Sequence, residues 1–537
     1  MDRVRLAEMA YMNVPDKEED DDVDDEANLN KHSNKRHDSV ERDSLSHHES
    51  ETSRLMSASP SARADHHSPR GRLTKHLVFA IAACVVGSSF QHGYNTGVVN
   101  APERLISAFI ESTYKQRYNE QPNAEQIDFI FAIIVSIFCI GGFLGALMTA
   151  IVAERIGRRN GLLINNIFAF AGAILMGVSR QARSYELMIV GRLLIGMNAG
   201  LNAGLAPLYL NEISPNHLKG AIGTVYQLVI TISILIANVL GMPAFLGTDT
   251  NWHLLFFLPI VPAIVQLLTL PLCPESPRHL LIVHGHELNA QRALSWLRDT
   301  IDVHDELDET RAEGDSMKLL PPVTLREMFT NRCLRRPMTI AIVIMLSQQL
   351  SGINAVMFFS TSIFRSAGLS DDAALNATLG LAIVNVLMTL VSVFLVDRAG
   401  RRTLHMTGLM GMCISTFVLA CCLSDTNPSA FVSFLSVLSL YVFITMFACG
   451  PGSIPWFLVA ELFGANSRSL ATSIAVAVNW FANFSVSLVF LPLTHILHGF
   501  TFLLFSALLM VFFLFTLHKV PETRGTTYEE ISAIFQQ

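Results

Sequence analysis

Apolar residues fall along this chain in long blocks rather than in the short alternations of a soluble core. From Leu77 onward, twelve runs come close to the ~20 apolar residues that a helix needs to cross a bilayer. They lie at about 77–99, 127–152, 161–180, 186–210, 221–243, 253–272, 338–363, 375–396, 403–423, 431–459, 470–494 and 497–518. One long polar interval interrupts them, at 274–337, and its amphipathic stretch 288–297 predicts short surface helices. Residues 1 to about 75 carry no periodic apolar face and read as a disordered polar tail. The pattern predicts an all-α polytopic membrane protein.

Composition agrees and removes other classes. Charged residues make up 15% of the 537 positions, against about 25% in soluble domains, and 51% are hydrophobic. Eight cysteines are too few for a secreted disulfide scaffold, and all but Cys333 sit within or beside a span. The net charge of −7, much of it from the run 18–26, gives no basic surface for nucleic acid. No apolar leader opens the chain, so the first span is expected to act as signal and anchor. The pairs His47-His48 and His66-His67 read as parts of a solvated tail, and Ser59-Pro60 and Ser68-Pro69 as weak phosphorylation candidates. Any partner of that tail stays open.

Basic residues set the expected orientation. Arg155, Arg158, Arg159, Lys219, Arg398, Arg401, Arg402, Arg468 and Lys519 fall on one set of loops. Arg104, Lys115, Arg117, Arg180, Arg183 and Arg365 fall on the other. The positive-inside rule then predicts both termini in the cytosol of a multi-pass protein, with the plasma membrane as the expected site. The expected layout is a tail at 1–75, a six-helix half at 76–273, a cytosolic loop at 274–337, a second half at 338–519 and a tail at 520–537.

The halves repeat each other. Glu154-Arg155-Ile156-Gly157-Arg158-Arg159 returns as Asp397-Arg398-Ala399-Gly400-Arg401-Arg402, at an offset of 243. Glu212 and Lys219 return as Glu461 and Arg468 with the same spacing of 7, and Pro274-Glu275-Ser276 as Pro521-Glu522-Thr523 at an offset of 247. Two pseudo-repeated halves around a central site are how many transporters are built.

The motifs narrow the chemistry. There is no phosphate-binding G-x-x-x-x-G-K-[ST], so ATP is not expected as energy source. His48-Glu49 and His286-Glu287 lack the second histidine of a zinc protease, and nothing implies a metal, a cofactor or an enzyme. The spans are instead rich in amides: Gln91, Asn95 and Asn100, Gln227 and Asn238, Gln348, Gln349 and Asn354, Asn385, and Asn479 and Asn483. Amides donate and accept, as sugar hydroxyls do, and Trp456 and Trp480 offer flat faces to a sugar ring. The same amides would also serve as joints between helices, and both readings stand at this point. Gly450-Pro451-Gly452-Ser453-Ile454-Pro455 should kink or break the tenth span.

In these strings the chain resembles the facilitative glucose transporters, a sugar-porter branch of the major facilitator superfamily, over about residues 77–530. The matching residues are Gly93-Tyr94-Asn95-Thr96-Gly97, 154–160, Gly191-Arg192, Pro274-Glu275-Ser276-Pro277-Arg278, 348–355, 397–405, 450–457 and Pro521-Glu522-Thr523. The resemblance implies the twelve-helix fold of that superfamily and uniport of a neutral hexose, most simply D-glucose, with membrane lipid as surroundings. It implies a sugar site of Gln227, Gln348, Gln349, Asn354, Asn385, Trp456 and Asn483. Ile230 and Ile234 would line the pocket, and Phe358, Phe359 and Phe447 would serve it as walls or gate. A cytosolic ion network that holds the outward-open state would comprise Arg158, Arg159, Glu212, Lys219, Glu275, Arg278, Arg401, Arg402, Glu461 and Arg468.

Some positions depart from the family pattern. Ala448 stands for a Glu, Phe358-Phe359 for a tyrosine pair, Met345-Leu346-Ser347 for Q-L-S and Lys219 for an Arg. The usual glycosylation sequon is absent from the first outer loop, and Asn376-Ala377-Thr378 lies close to the membrane. Asn95 decides between uniport and the alternative of a proton-coupled symporter, because an amide cannot titrate and coupled relatives carry an Asp there. A sugar receptor that does not transport is the third reading.

Overall fold

In the computed structural model, the described residues are 73–536 apart from 216–217, 320–322, 425–428, 525 and 527. The chain divides into Met1–Arg70 and Gly71–Gln537. The histidine pairs and Ser-Pro dipeptides of the tail lie outside the described residues.

Twelve spans are present among the described residues. Those of the first half are span 1 (Lys75–Gly87 with Ser89–Gly97), span 2 (Ala124–Arg155), span 3 (Arg158–Val178), span 4 (Tyr185–Ile213), span 5 (Lys219–Leu240) and span 6 (Trp252–Leu272). The second half has span 7 (Arg332–Gln349 with Ile353–Ser366), span 8 (Asp371–Ala399), span 9 (Arg401–Leu423), span 10 (Ala430–Cys449 with Ile454–Glu461), span 11 (Ala465–Leu497) and span 12 (Thr501–Lys519). The end of the bundle that carries Arg158, Arg159, Arg401 and Arg402 is called the basic face below, and the other end the far face.

Spans 2, 4, 8 and 10 begin at the far face on side-chain caps. Ser184, Ser370 and Ser429 each accept a backbone N–H three residues on, and Asn123 and Gln126 form a reciprocal capping box. Such caps satisfy N–H groups that have no partner within their own helix.

The polar interval holds the helices Glu287–Arg298, His304–Leu319 and Leu325–Thr330, as its amphipathic pattern predicts. Two further helices are additions to the sequence reading. Glu103–Tyr118 follows span 1 at the far face, where the pattern suggests only a loop. Tyr528–Gln536 lies in the expected tail, and its Ile531 and Phe535 pack with Met328, Met338 and Val520. Arg336 donates to the Phe535 carbonyl at 3.2 Å, which ties that helix to span 7.

Span 10 breaks at Gly450–Ser453, as its prolines and glycines predict. Span 7 breaks at Gly352, whose φ of +87° lies in the left-handed region.

Spans 2 and 4 approach closely along a face of glycines. A Cβ at Gly196 would lie 2.1 Å from the Phe138 carbonyl oxygen, and one at Gly200 2.1 Å from that of Gly142. Small residues let membrane helices gain dispersion energy that lipid would otherwise supply. Gly196→Ala should therefore force the two backbones apart at a cost of about 1–3 kcal/mol. The expected result is a lower thermal unfolding midpoint for the purified protein; an unchanged midpoint would refute the tight contact.

Candidate functional site

At the basic face a repeated cluster folds each half onto itself. Span 3 opens at Gly157 and span 9 at Gly400, with φ of +101° and +89°, and no side chain caps either helix. A carboxylate from a distant segment does so instead. Glu275 accepts the N–H groups of Arg158 at 3.0 Å, Arg159 at 2.9 Å and Asn160 at 3.3 Å. Glu522 accepts those of Arg401 at 2.8 Å and Arg402 at 3.2 Å. An anion there completes unpaired donors and faces the positive end of the helix dipole. A Cβ at Gly157 would fall 2.5 Å from the Glu275 carboxylate, and one at Gly400 2.7 Å from that of Glu522. Glycine is required twice over.

The second carboxylate of each cluster holds an arginine. Glu212 pairs with Arg158 at 2.9 Å and accepts the Ser276 hydroxyl; Glu461 pairs with Arg401 at 3.3 Å and accepts the Thr523 hydroxyl. Burial, then the Arg158 guanidinium, holds His279 down to about 4, so the ring is neutral and can accept an N–H from Arg158. Arg159 donates to the Cys273 carbonyl, Arg402 to Leu517 and Arg468 to Phe463, while Arg278 pairs with Glu313 of the helix His304–Leu319. Lys219 opens span 5. In this conformation the Arg158–Glu212 and Arg401–Glu461 pairs stay within their own halves, whereas the expected network would join the halves. Glu522, Ser276 and Thr523 complete the clusters; the repeat of Pro274-Glu275-Ser276 as Pro521-Glu522-Thr523 was the signal for them.

Amides fill the middle of the second half. Gln348 donates to the carbonyls of Pro451 at 2.8 Å and Gly452 at 2.9 Å, in the break of span 10. Its oxygen accepts from Asn479 at 2.7 Å and from Gln349 at 3.3 Å. Gln349 also donates to Asn479 at 2.9 Å and accepts from Asn354. Gln348 is thus saturated by protein, two donors and two acceptors used. Broken backbone inside a membrane needs such a partner. Other amides are open. Among the described residues, the side chains of Gln227, Asn385 and Trp456 make no hydrogen bond, and Trp456 is 39% exposed. Asn483 accepts from Ser487 at 3.2 Å, which leaves its N–H groups free.

The expected apolar wall is largely core. Ile230 and Ile234 are buried where span 5 packs on span 1. Phe447 packs against the main core, and its carbonyl accepts the Gly450 and Gly452 N–H groups. Phe358 and Phe359 are fully buried. Phe359 sits at a kink in span 7, 6.0 Å from Phe131 of span 2 and 5.3 Å from Phe490 of span 11. It therefore bridges the halves above the amides, toward the far face. Asn100, just beyond the end of span 1, reinforces this by donating to Ser360 at 2.7 Å.

Two further polar residues, Arg192 and His92, lie beside position 95. Arg192 is completely buried in span 4 and donates to the carbonyls of Asn95 at 2.7 Å and Ile134 at 3.2 Å, with its guanidinium 4.5 Å from the Phe138 ring centre. Asn95 itself donates to the Gln91 carbonyl at 2.8 Å. His92 stacks on Trp480 at 6.0 Å and meets the Tyr226 hydroxyl at 3.2 Å. A lone arginine in the middle of an apolar run was the signal for Arg192.

Comparison with known proteins gives a consistent picture. Residues 80–535 match the sugar (and other) transporter family. The chain is 44% identical over 465 residues to the facilitated glucose transporter member 3 of solute carrier family 2 from Ovis aries, covering 87% of this chain and 94% of that one. It is 43% identical over 473 residues to the facilitated glucose transporter protein 1 of Caenorhabditis elegans, covering 87% and 92%. The inward open structure of the xylose transporter XylE from E. coli superposes with a TM-score of 0.71 at 23% identity, covering 85% of this chain and 99% of that one. The matches are to transporters, not enzymes.

The capping carboxylates make a direct prediction. Hydrogen bonds to a charged acceptor contribute about 1.5–3 kcal/mol. Glu275→Gln should release the amides of residues 158–160, and Glu522→Gln those of 401–402, so that hydrogen exchange there speeds by about tenfold or more. Unchanged exchange in both variants would show that the caps hold nothing.

Proposed function

The chain belongs to the sugar transporter family, and from that premise we propose that it is a uniporter for a neutral hexose, D-glucose first. It exposes one central amide site alternately to the two faces. The basic face is taken as cytosolic and the far face as external, by the positive-inside rule, with both tails in the cytosol and the plasma membrane as the site of action. The names of the relatives support glucose: those from Ovis aries and Caenorhabditis elegans are facilitated glucose transporters.

The observation that carries the reading is the division of labour among the amides. Gln348, Gln349 and Asn479 bond one another and the broken span 10. Gln227, Asn385, Trp456 and the N–H groups of Asn483 have no partner among the described residues, yet they lie in the same bundle. Unpaired polar groups inside a bilayer are costly, and a ligand rich in hydroxyls would complete them. Asn354 belongs to both sets, since it donates to Gln349 and keeps its oxygen free.

Uniport follows from Asn95. A proton-coupled carrier needs a group that gains and loses a proton as the site changes face. Arg192 is buried against the Asn95 carbonyl, and its described hydrogen bonds go to carbonyls rather than to a carboxylate. The basic-face charges take a different part in this cycle: when that face closes, Glu212, Glu461 and their arginines would meet across the halves, and closure there would favour the outward-open state.

Removing a partner from a buried hydroxyl costs about 1–3 kcal/mol, which weakens binding about 5- to 150-fold. Asn385→Ala should therefore weaken glucose binding by that factor and leave the thermal unfolding midpoint near the parent's. Gln348→Ala should lower both, because it also strips the carbonyls of Pro451 and Gly452. Glucose binding unchanged in Asn385→Ala would move the sugar away from these amides.

A further inference from the structure

The halves meet at the far face through charge as well as through aromatic rings. The helix Glu103–Tyr118 starts directly after Pro102, which places Glu103 and Arg104 against the ends of spans 7 and 8. Arg365 of span 7 lies 3.3 Å from Glu103 and 3.0 Å from Asp371, the first residue of span 8. Arg104 pairs with the same Asp371. A separate link joins Asp128 of span 2 to His495 of span 11 at 2.7 Å. Glu103–Arg365, Arg104–Asp371 and Asp128–His495 each tie the first half to the second. Asn100 sits beneath them and takes the Thr361 hydroxyl at 3.2 Å as well as bonding Ser360.

These links are unequal. Arg104 and Asp371 are mostly exposed, and such pairs contribute little. Glu103 and Arg365 keep only 11% and 16% of their side-chain surface. That burial exists because the face is closed; with the halves parted, Glu103 would return to water. The groups that face it are Arg365 and Ser362 from span 7, Asp128 from span 2 and Arg104 from its own helix. Asp371 and His495 stand one contact further out, against Arg365 and Asp128.

We propose that Glu103, Arg365, Asp371, Asp128 and His495 form a clasp that holds the far face shut and tightens as that face is acidified. The proposal rests on the alternating-access reading, which makes the far face the external one. The sign follows from proton linkage. In the closed form burial, only partly offset by Arg365 and reinforced by Asp128, pushes the Glu103 carboxyl up from 4.5 to about 7. Closure therefore takes up a proton. Its contribution is complete below the ordinary carboxylate range and is lost as pH rises through about 7. When Glu103 is neutral, Arg365 keeps Asp371 as its counter-charge. Asp128–His495 adds a second side-chain contact between the halves beside it, at 2.7 Å.

The test is a distance measurement that needs no sugar. Spin labels at Gln116 and Ala373, exposed far-face positions on opposite halves, would report opening of the reconstituted full chain. The exposed Cys333 and Cys421 would be replaced by serine. Between about pH 8 and about pH 6 the ratio of the short-distance to the long-distance population should rise about tenfold in the parent. The Glu103→Gln/His495→Gln double variant should show little change over the same range. A parent whose distances ignore pH, or a double variant that keeps the full response, would overturn the clasp. Because sugar is absent, a failure here is separate from a failure of the sugar assignment.

Discussion

Inside a bilayer a polar group must find its partner within the protein, and this constraint organises the structure. Each place where a helix starts or breaks leaves donors or acceptors that lipid cannot satisfy. At the basic face, Glu275 and Glu522 reach back from beyond spans 6 and 12 to close the open ends of spans 3 and 9. In the core, Gln348 bonds the carbonyls exposed where span 10 gives way. Arg192 spends two of its donors on carbonyls of spans 1 and 2. Each of these contacts binds a helix to others of its own half. The two halves therefore hold together internally, and they meet each other through a smaller set of contacts.

That distribution is what a rocking transporter needs. Contacts that persist within a half do not favour one state over another; contacts between halves do. The between-half contacts described at the far face are Phe359 with Phe131, Asn100 with Ser360, and the charged clasp. Trp480 bridges the halves deeper down, against Phe138 and His92. The proposed sugar amides lie between these layers and the basic face. A ligand that bonds amides on both halves, Gln227 on one and Asn385 on the other, would bias which layer is closed.

Much of this was legible in the sequence, for a physical reason. Crossing a bilayer demands length and apolarity together, so the spans stand out as blocks, and duplication leaves its mark in charged strings where the fold needs the same cap twice. The break in span 10 was readable from its prolines and glycines. What the sequence hid were partners. Gln348 looks like a sugar ligand because its type suits one, and only geometry shows that both its donors are taken. Arg158 and Glu212 looked like a link between halves, yet their neighbours in space belong to the same half. The helices Glu103–Tyr118 and Tyr528–Gln536 lack a long apolar run, since each buries only one narrow face on the bundle. Charge complementarity between residues about 260 positions apart, as for Glu103 and Arg365, leaves no local pattern to read.

The proposed uniport lets glucose equilibrate without drawing on protons. It is tested most directly by labelled D-glucose uptake into liposomes that contain the purified full chain, with and without an inward proton gradient. Internal glucose should rise to the external concentration and stop there, at the same level in both conditions. Accumulation above that level under the gradient, abolished by a protonophore, would contradict it.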